Sequence, residues 1–337
     1  MQNPVTISVV VPAYNEREVL SEFHRRLIAV LRALPFAFEI VYVNDGSKDD
    51  TLQIMDGLTA DGMTVVVLDL SRNYGKDIAL TAGLDCATGE GVVVIDADLQ
   101  DPPELIPELI GRWQEGYDVV YARRVARAGE SALKRTTAYL FYRVMQSVSR
   151  VRIPEDTGDF RLLSRRAVSA LKTLREHHRF MKGLFSWIGY QQTAVEYERD
   201  TRFAGETKWN YWKLWNFALE GITSFTIAPL RVATYFGLIT AALAFSYGAF
   251  IVVRTLLFGN PVPGYPSLLT VVLFLGGAQL TAIGVLGEYV GRIFNETKQR
   301  PLYFVNRMER RTPATQADAA LASGHGPQEL RANPAQS

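Results

Sequence analysis

Cysteine and histidine are scarce in this chain of 337 residues, which contains one cysteine, Cys86, and four histidines. A lone cysteine cannot form an internal disulfide, and the histidines lack zinc-ligand spacing, so disulfide-stapled and structural zinc domains are excluded. The net charge is also small, because the chain has 36 Lys and Arg residues and 35 Asp and Glu residues. This balance gives no overall electrostatic argument for nucleic-acid binding, and no nucleic-acid partner is expected.

Charge is almost missing from residues 232–287, where Arg254 is the single formal charge among 56 residues. Two uncharged runs, residues 232–253 and 267–287, are each long enough as helices to cross a hydrocarbon core of about 30 Å. A short Pro/Gly-rich connector joins them. The sequence therefore predicts a transmembrane hairpin with helices over about 232–257 and 267–290, and two buried core helices are the alternative.

Basic residues flank this hairpin on its outer sides. They are Lys208, Lys213 and Arg231 before the first span, and Arg292, Lys298 and Arg300 after the second. The positive-inside rule then predicts an integral inner-membrane protein with two spans and with both termini in the cytoplasm. Four regions follow: a cytoplasmic domain 1–208, an interfacial amphipathic region 209–231, the hairpin 232–291, and a cytoplasmic segment 292–337 that is disordered after about residue 312.

The first 125 residues alternate apolar runs of strand length with helical patterns. The predicted strands lie near residues 8–12, 39–43, 65–70, 92–96 and 118–122, and the helices near 16–34, 49–58, 78–87 and 102–115. This alternation predicts an α/β domain with a doubly wound, Rossmann-like sheet. Ligands of such sheets bind beyond the carboxyl ends of the strands. Neither a GxGxxG nor a GxxxxGK[ST] motif is present, which excludes the usual dinucleotide-binding fingerprint and the P-loop.

A buried strand in the stretch VVVIDADLQDPP runs directly into Asp96 and Asp98, and Gln100 follows them. Two carboxylates and an amide oxygen suit Mg²⁺ or Mn²⁺, which prefer oxygen ligands and leave room for substrate phosphates. Capping of the helix that begins at Pro102 is the structural alternative, and it is the interpretation favoured for Asp101. Asp45, in VNDGSKDDT, fits either a turn or a contact with a base or ribose.

Taken together, the motifs resemble those of the family 2 glycosyltransferases. The motifs are VVVPAYNE, VNDGSKDDT, LSRNYGKDIALTAGLDCATGEGVVVIDADLQDPPELI, DTGDFRLLSRRAV, RFAGETKWNYWKL and GVLGEYVGRIFNETKQRPLY. Within that family, the chain is similar to the polyprenyl-phosphate branch, which includes dolichyl-phosphate mannose synthase and bactoprenol glucosyltransferase. The resemblance covers roughly residues 5–305 and implies a GT-A fold for the domain of residues 1–208.

The resemblance also implies roles for particular residues. Nucleotide-binding positions are matched by Pro12, Ala13, Tyr14, Glu16, Asp45 and Asp96. The metal site is matched by Asp96, Asp98 and Gln100. The catalytic candidates are Asp98 and Asp159, of which Asp159 is expected near the acceptor. Positions that hold the donor diphosphate and the acceptor phosphate are matched by Arg123, Arg202 and Lys208. For Arg202 and Lys208, simple snorkelling at the membrane surface is the alternative.

The expected activity is inverting transfer of a sugar from a nucleotide donor to a membrane-held polyprenyl phosphate, with Mg²⁺ or Mn²⁺ as cofactor. UDP-glucose and undecaprenyl phosphate are the first choices of substrate, because DTGDFRLL looks most like the bactoprenol glucosyltransferase type. A processive polysaccharide synthase and a non-catalytic membrane adaptor are the alternatives. Relatives also lead to an expectation that the hairpins assemble into a homo-oligomer.

Overall fold

The computed structural model describes residues 6–60, 62–125, 154, 157–197, 228–258 and 264–313. The strands are β1 Thr6–Ala13, β2 Ala37–Asn44, β3 Thr64–Leu70, β4 Gly91–Val94, β5 Val119–Arg124, β6 Thr157–Ser164, β7 Gln192–Tyr197 and β8 Val305–Arg311. The helices are α1 Leu20–Arg32, α2 Thr51–Gly57, α3 Lys76–Cys86, α4 Ile106–Gln114, α5 Arg165–Thr173, α6 Met181–Trp187, α7 Ala228–Phe258 and α8 Tyr265–Thr297. A 3₁₀ turn, Pro103–Leu105, precedes α4.

All eight strands form one sheet in the order β7-β5-β6-β4-β1-β2-β3-β8. The neighbours β4, β1, β2 and β3 are parallel, and β5 is parallel to β7. Two strands run antiparallel to their neighbours, β6 between β4 and β5, and β8 beside β3. The predicted α/β sheet and its five strands are confirmed, and the complete sheet is mixed because β6 and β8 run the other way.

Helices cover both faces of this sheet. Helix α1 buries Leu20, Phe23 and Leu27, whose three- and four-residue spacing puts them on one helical face. Helices α1, α2 and α4 contribute to one apolar layer, and α3, α5 and α6 contribute to the other. Helix α3 lies very close to the sheet, because a Cβ atom on Gly83 would be 2.3 Å from Cγ1 of Val10.

Strand β8 comes from the segment after the predicted membrane hairpin and extends the sheet at the edge formed by β3. Its Arg310 donates to the carboxylate of Glu39, a residue near the start of β2 that is only 2% exposed. Its Asn306 donates through Nδ2 to Oδ2 of Asp69 at 2.8 Å. Strand β8 therefore belongs structurally to the sheet domain, which we define as the described residues between 6 and 197 together with β8.

Helices α7 and α8 contain 31 and 33 residues, and both confirm the helices predicted for the hairpin. By length and composition both can cross a membrane, over residues 232–258 and 270–297. Their most apolar windows are only 6% and 0% buried, which argues against the alternative of core helices. The end of α8 contacts the sheet domain, where the backbone N–H of His177 donates to Oε1 of Glu296 at 2.7 Å.

Candidate active site

The carboxyl ends of β1, β2 and β4 lie side by side at one edge of the sheet. Strand register pairs Pro12 with Val43 and Ala13 with Asn44, and β4 lies on the other side of β1. The loops that follow these three strands carry the residues expected to bind nucleotide and metal. The structure thus brings these loops to a single edge, as the parallel topology requires.

Hydrogen bonds join the loop after β1 to the loop after β2. The backbone N–H of Asn15, a residue with a positive φ of 57°, donates to Oγ of Ser47 at 3.0 Å. The backbone N–H of Glu16 donates to Oγ1 of Thr51 at 2.9 Å. Tyr14 remains 38% exposed on this edge, so its ring is accessible to a ligand.

Asp45 connects the same edge to the loop between β3 and α3. Its two carboxylate oxygens accept the backbone N–H groups of Tyr74 at 2.7 Å and Gly75 at 3.0 Å. The adjacent Gly46, with φ of 65°, lies so close to this loop that a Cβ would be 2.4 Å from the carbonyl carbon of Arg72. Burial raises the pKa of Asp45, although the two N–H donors and Arg72 oppose that effect. Asp45 therefore organises the loop, which corresponds to the turn role considered for it, and a nucleoside contact stays a prediction.

Asp96 and Asp98 follow β4 in a tight turn in which Leu99 has a positive φ of 58°. The carboxylate of Asp98 accepts the backbone N–H of Gln100 at 3.1 Å, and the Gln100 side chain is 6% exposed. Among the residues that the structure describes, no three acidic, histidine or cysteine side chains converge on a point that could hold a metal. Two carboxylates and an amide still fit Mg²⁺ or Mn²⁺, which bind through one or two carboxylates when substrate phosphates complete the coordination.

Lys76, the first residue of α3, joins the predicted metal ligands to the predicted acceptor residue. Its Nζ lies 2.6 Å from Oδ2 of Asp96 and 2.5 Å from Oδ2 of Asp159. Burial alone would raise the pKa of Asp159, but the Lys76 ammonium, together with the charges of Lys182 and Arg161, outweighs burial and holds that pKa well below its usual range. For Asp96, burial prevails over Lys76 and raises the pKa. Asp159 is therefore an ionised carboxylate and a weak base.

Further cations surround Asp159 from β6 and α6. Arg161 donates to the backbone carbonyl of Gly158 at 2.8 Å, and its guanidinium carbon lies 3.7 Å from the centroid of the Phe185 ring. Burial lowers the pKa of Arg161 to about 10 and also lowers the pKa of Lys182, which the charge of Asp159 partly opposes. The second carboxylate oxygen of Asp159, Oδ1, is buried and has no hydrogen-bond partner among the described residues.

Comparison with known proteins identifies the class of this site. Residues 8–172 match glycosyl transferase family 2, and residues 228–293 match the GtrB C-terminal hairpin. The SfII prophage-derived bactoprenol glucosyl transferase of Shigella flexneri is 52% identical over 307 residues, which cover 91% of this chain and 99% of that protein. The chain belongs to glycosyl transferase family 2. An uncharacterized glycosyltransferase of Synechocystis is also 52% identical, over 90% of this chain and 95% of its own length.

Family membership confirms the resemblance seen in the motifs, and it confirms that a glycosyltransferase domain precedes an apolar hairpin. The three phosphate-binding candidates of this glycosyltransferase are not all within the described residues. Arg123, on β5, pairs with Glu196 of β7 at the surface. Arg202 and Lys208 lie outside the described residues, as do most of the interfacial region and the tail after residue 313. Their roles stay predictions.

The helix-capping interpretation of Asp101 is wrong. Neither the 3₁₀ turn nor α4 has a side-chain cap. The Asp101 carboxylate instead accepts the hydroxyl of Tyr197 and lies 3.7 Å from Nη2 of Arg124. Asp101 is only 1% exposed, and the pairing with Arg124 and Tyr197 compensates its burial, so it ties the loop after β4 to β5 and β7.

Sequence reasoning missed Lys76, Asp77 and Lys182 as site residues. The first two belong to the run GKD that follows the third strand, and this placement puts them at the ligand edge together with the residues after β1, β2 and β4. Lys182 carries no comparable signal, because it follows no parallel strand. Asp77 is half-buried, and burial, followed by the negative charge of Asp159, raises its pKa to about 6.

Proposed function

We propose that this protein transfers one sugar from a UDP-sugar, with glucose as the first choice, to the phosphate group of undecaprenyl phosphate. The observation that carries the proposal is the full-length match to a bactoprenol glucosyl transferase, which includes both the glycosyltransferase domain and the hairpin. An acceptor with a long polyprenyl chain is held in a membrane. An enzyme with two exposed apolar helices beside its soluble site suits such an acceptor.

We infer that catalysis takes place on the cytoplasmic side. Strand β8 follows the hairpin and pairs with β3, which precedes it, and this supports a hairpin whose two ends return to the same face of the membrane. Lys and Arg residues flank the hairpin while its connector has Arg254 alone, which favours the cytoplasm for that face. The expected homo-oligomer stays a prediction.

The residues at the sheet edge suit a UDP-sugar bound through a divalent cation. We propose that Asp96, Asp98 and Gln100 hold Mg²⁺ or Mn²⁺, and that Tyr14 and Glu16 lie against the nucleoside. Bound at that point, the cation would neutralise negative charge on the diphosphate leaving group. The protein supplies the orientation of the carboxylates, which the tight turn at Leu99 and the contact of Asp98 with the Gln100 N–H support.

The reaction needs little help in activating its nucleophile. The second pKa of a phosphate monoester is about 6, so the acceptor is largely a dianion near pH 7. One phosphate oxygen forms a bond to the anomeric carbon as the bond from that carbon to the UDP oxygen breaks, and UDP leaves with the electron pair. No proton has to be removed, and this agrees with an Asp159 whose pKa the Lys76 ammonium holds low.

A panel of donors tests the proposal. Membranes that contain the full-length protein are incubated with undecaprenyl phosphate, Mn²⁺ and, one at a time, UDP-glucose, UDP-galactose, UDP-N-acetylglucosamine and GDP-mannose. We expect a lipid heavier by one hexose with UDP-glucose, and none in membranes that carry Asp98→Ala. A lipid product with another donor alone would correct the sugar, and no lipid product with any donor would contradict the acceptor.

A further inference from the structure

Lys76 occupies a central position between two carboxylates that come from different parts of the fold. Asp96 follows β4 and belongs to the predicted donor and metal site, whereas Asp159 lies on β6 and is the predicted acceptor residue. The Lys76 ammonium reaches both carboxylates, at 2.6 and 2.5 Å. Gly75, with a positive φ of 95°, turns the chain immediately before α3 begins at Lys76.

The charges around Lys76 explain why a cation is needed at this point. Two anionic carboxylates that share one site repel each other, and Asp77 adds a third acidic group, half-buried, on which the charge of Asp159 acts. Lys182 and Arg161 also act on Asp159. Arg161 directs its hydrogen bonds to the backbone carbonyls of Gly158 and Asp159. Among the described residues, Lys76 is the cation whose ammonium contacts both carboxylates directly.

The chemistry of an ammonium group also suits a place between two phosphate-binding sites. An ammonium carries three N–H donors, and Asp96 and Asp159 account for two of them. The third can donate to a phosphate oxygen. Oδ1, the other carboxylate oxygen of Asp159, is buried without a partner among the described residues, and within them the Lys76 ammonium is the group that holds this carboxylate.

We propose that Lys76 is a positioning residue for sugar transfer, which holds the Asp159 carboxylate beside Asp96 and thereby aligns the acceptor phosphate with the donor diphosphate. The inference rests on the proposed function for its substrates, but the contact of Lys76 with Asp96 can be tested without any lipid. Loss of this alignment reduces the rate of the chemical step, because a displacement of about 1 Å can cost about 100-fold in rate.

The test uses Lys76→Met in the full-length protein in detergent, with Lys172→Met as a matched control. Lys172 is also a helical lysine, and its ammonium donates to the backbone carbonyl of Asp85, on α3 but at its far end. We expect Lys76→Met to lower kcat by about 100-fold while KM for the donor changes less than about threefold. Lys76→Arg, which keeps the charge, restores at least about a tenth of the wild-type kcat, and Lys172→Met leaves kcat unchanged.

The affinity for Mn²⁺ in the presence of UDP, measured by electron paramagnetic resonance, tests the contact of Lys76 with Asp96 separately from catalysis. Removal of a cation that contacts Asp96 relieves its repulsion of the metal, so Lys76→Met binds Mn²⁺ at least about twofold more tightly. A merely structural role of Lys76 predicts the opposite, since a damaged site loses both kcat and Mn²⁺ affinity. Unchanged or weaker Mn²⁺ affinity would overturn the inference, whether or not the protein uses the proposed lipid acceptor.

A double-mutant comparison completes the test. In an Asp159→Asn background there is no carboxylate for Lys76 to position, so adding Lys76→Met costs less than about threefold in kcat. If Lys76→Met lowers kcat by about a further 100-fold in the Asp159→Asn background, Lys76 acts independently of Asp159 and the inference is overturned. Wild-type protein that forms no glycolipid contradicts the proposed function instead, and in that case the Mn²⁺ titration decides the role of Lys76.

Discussion

Arg310 donates a hydrogen bond to the carboxylate of Glu39, although the two residues lie on opposite sides of the helical hairpin in the sequence. Glu39 also accepts the hydroxyl of Ser8 at 2.6 Å and the backbone N–H of Thr88 at 2.9 Å. Burial raises the pKa of Glu39, but these donors outweigh it and hold the pKa below its ordinary value. Strand β8 therefore supplies one of the hydrogen bonds that stabilise the buried Glu39 carboxylate in the sheet.

Deletion of residues 304–337 removes β8 and tests this relationship. The edge of β3 loses its paired strand and the Glu39 carboxylate loses Arg310, which together cost about 2–4 kcal/mol of stability. At about 2–4 °C per kcal/mol, we expect the apparent Tm in detergent to fall by about 4–16 °C. Deletion of residues 314–337, whose composition predicts disorder, serves as the control and leaves Tm unchanged. An equal Tm for both shortened proteins would show that β8 does not stabilise the sheet.

Because β8 follows the hairpin and pairs with the sheet, a test of the hairpin's role in using the lipid acceptor has to keep β8 in place. A protein that ends before α7 loses β8 as well as the helices, so its loss of activity reports damage to the sheet and not only loss of the membrane. A hairpin deletion that keeps residues 301–313 separates the two effects. We expect this protein to bind UDP while it fails to use long-chain undecaprenyl phosphate. Failure to bind UDP would contradict the assignment of nucleotide binding to the sheet domain and of lipid use to the hairpin.

Periodicity predicted the first five strands well, because each is a run of buried apolar residues such as VVVP and VVVID between amphipathic helices. Strand β8 could not be predicted in this way. Its sequence, VNRMERR, is mostly polar, and it is held by pairing with β3 and by ion pairs such as Arg307 with Asp56 at 2.6 Å. Those partners lie more than 200 residues away in the chain, beyond the reach of a local pattern.

The candidate site was predicted to a similar extent. Residues after β1, β2 and β4 were found because parallel strands deliver their following loops to one edge. Lys76 was missed because its significance depends on Asp159, which comes from β6, an antiparallel strand that periodicity did not identify. Asp101 was assigned to a helix cap because its partner Tyr197 lies on β7, which was also not predicted.

Asp98 and Asp159 are expected to differ in their importance for activity. Asp98→Ala removes a proposed metal ligand, and loss of that charge neutralisation costs several kcal/mol, or at least about 1,000-fold in kcat. Asp159→Asn keeps the shape of a residue that need not remove a proton, so about 1% or more of wild-type activity remains. Rates of glycolipid formation measure both. Complete loss in Asp159→Asn as well would make Asp159 indispensable and overturn this ranking.

Asp77 makes stability depend on pH. Burial and the Asp159 charge raise its pKa to about 6 in the folded protein, above about 3.9 in the unfolded chain. The folded state therefore binds the proton more tightly, and the free energy of unfolding decreases as pH rises from about 4 to 6, by up to about 3 kcal/mol. Asp77→Asn removes this decrease and is more stable than wild type at pH 7.5. Equal slopes of Tm against pH in the two proteins would contradict the assignment.

The stereochemistry of the product follows from a single displacement. Attack by the acceptor phosphate on the side opposite UDP converts an α-linked nucleotide sugar into a β-linked polyprenyl phosphate sugar. The coupling constant of the anomeric proton in the NMR spectrum of the purified glycolipid identifies the linkage. An α-linked product would require two displacements, and the single-step mechanism would then be wrong.

The central claim is that one sugar is transferred to one lipid phosphate, and the mass of the product tests it most directly. Purified full-length protein is incubated with undecaprenyl phosphate, Mn²⁺ and an excess of UDP-glucose, and the lipid fraction is analysed by mass spectrometry. We predict a single new species that is heavier than the acceptor by one hexose, even after long incubation. A series of species with two, three or more hexoses, as a processive synthase would produce, or an unmodified acceptor would contradict the account.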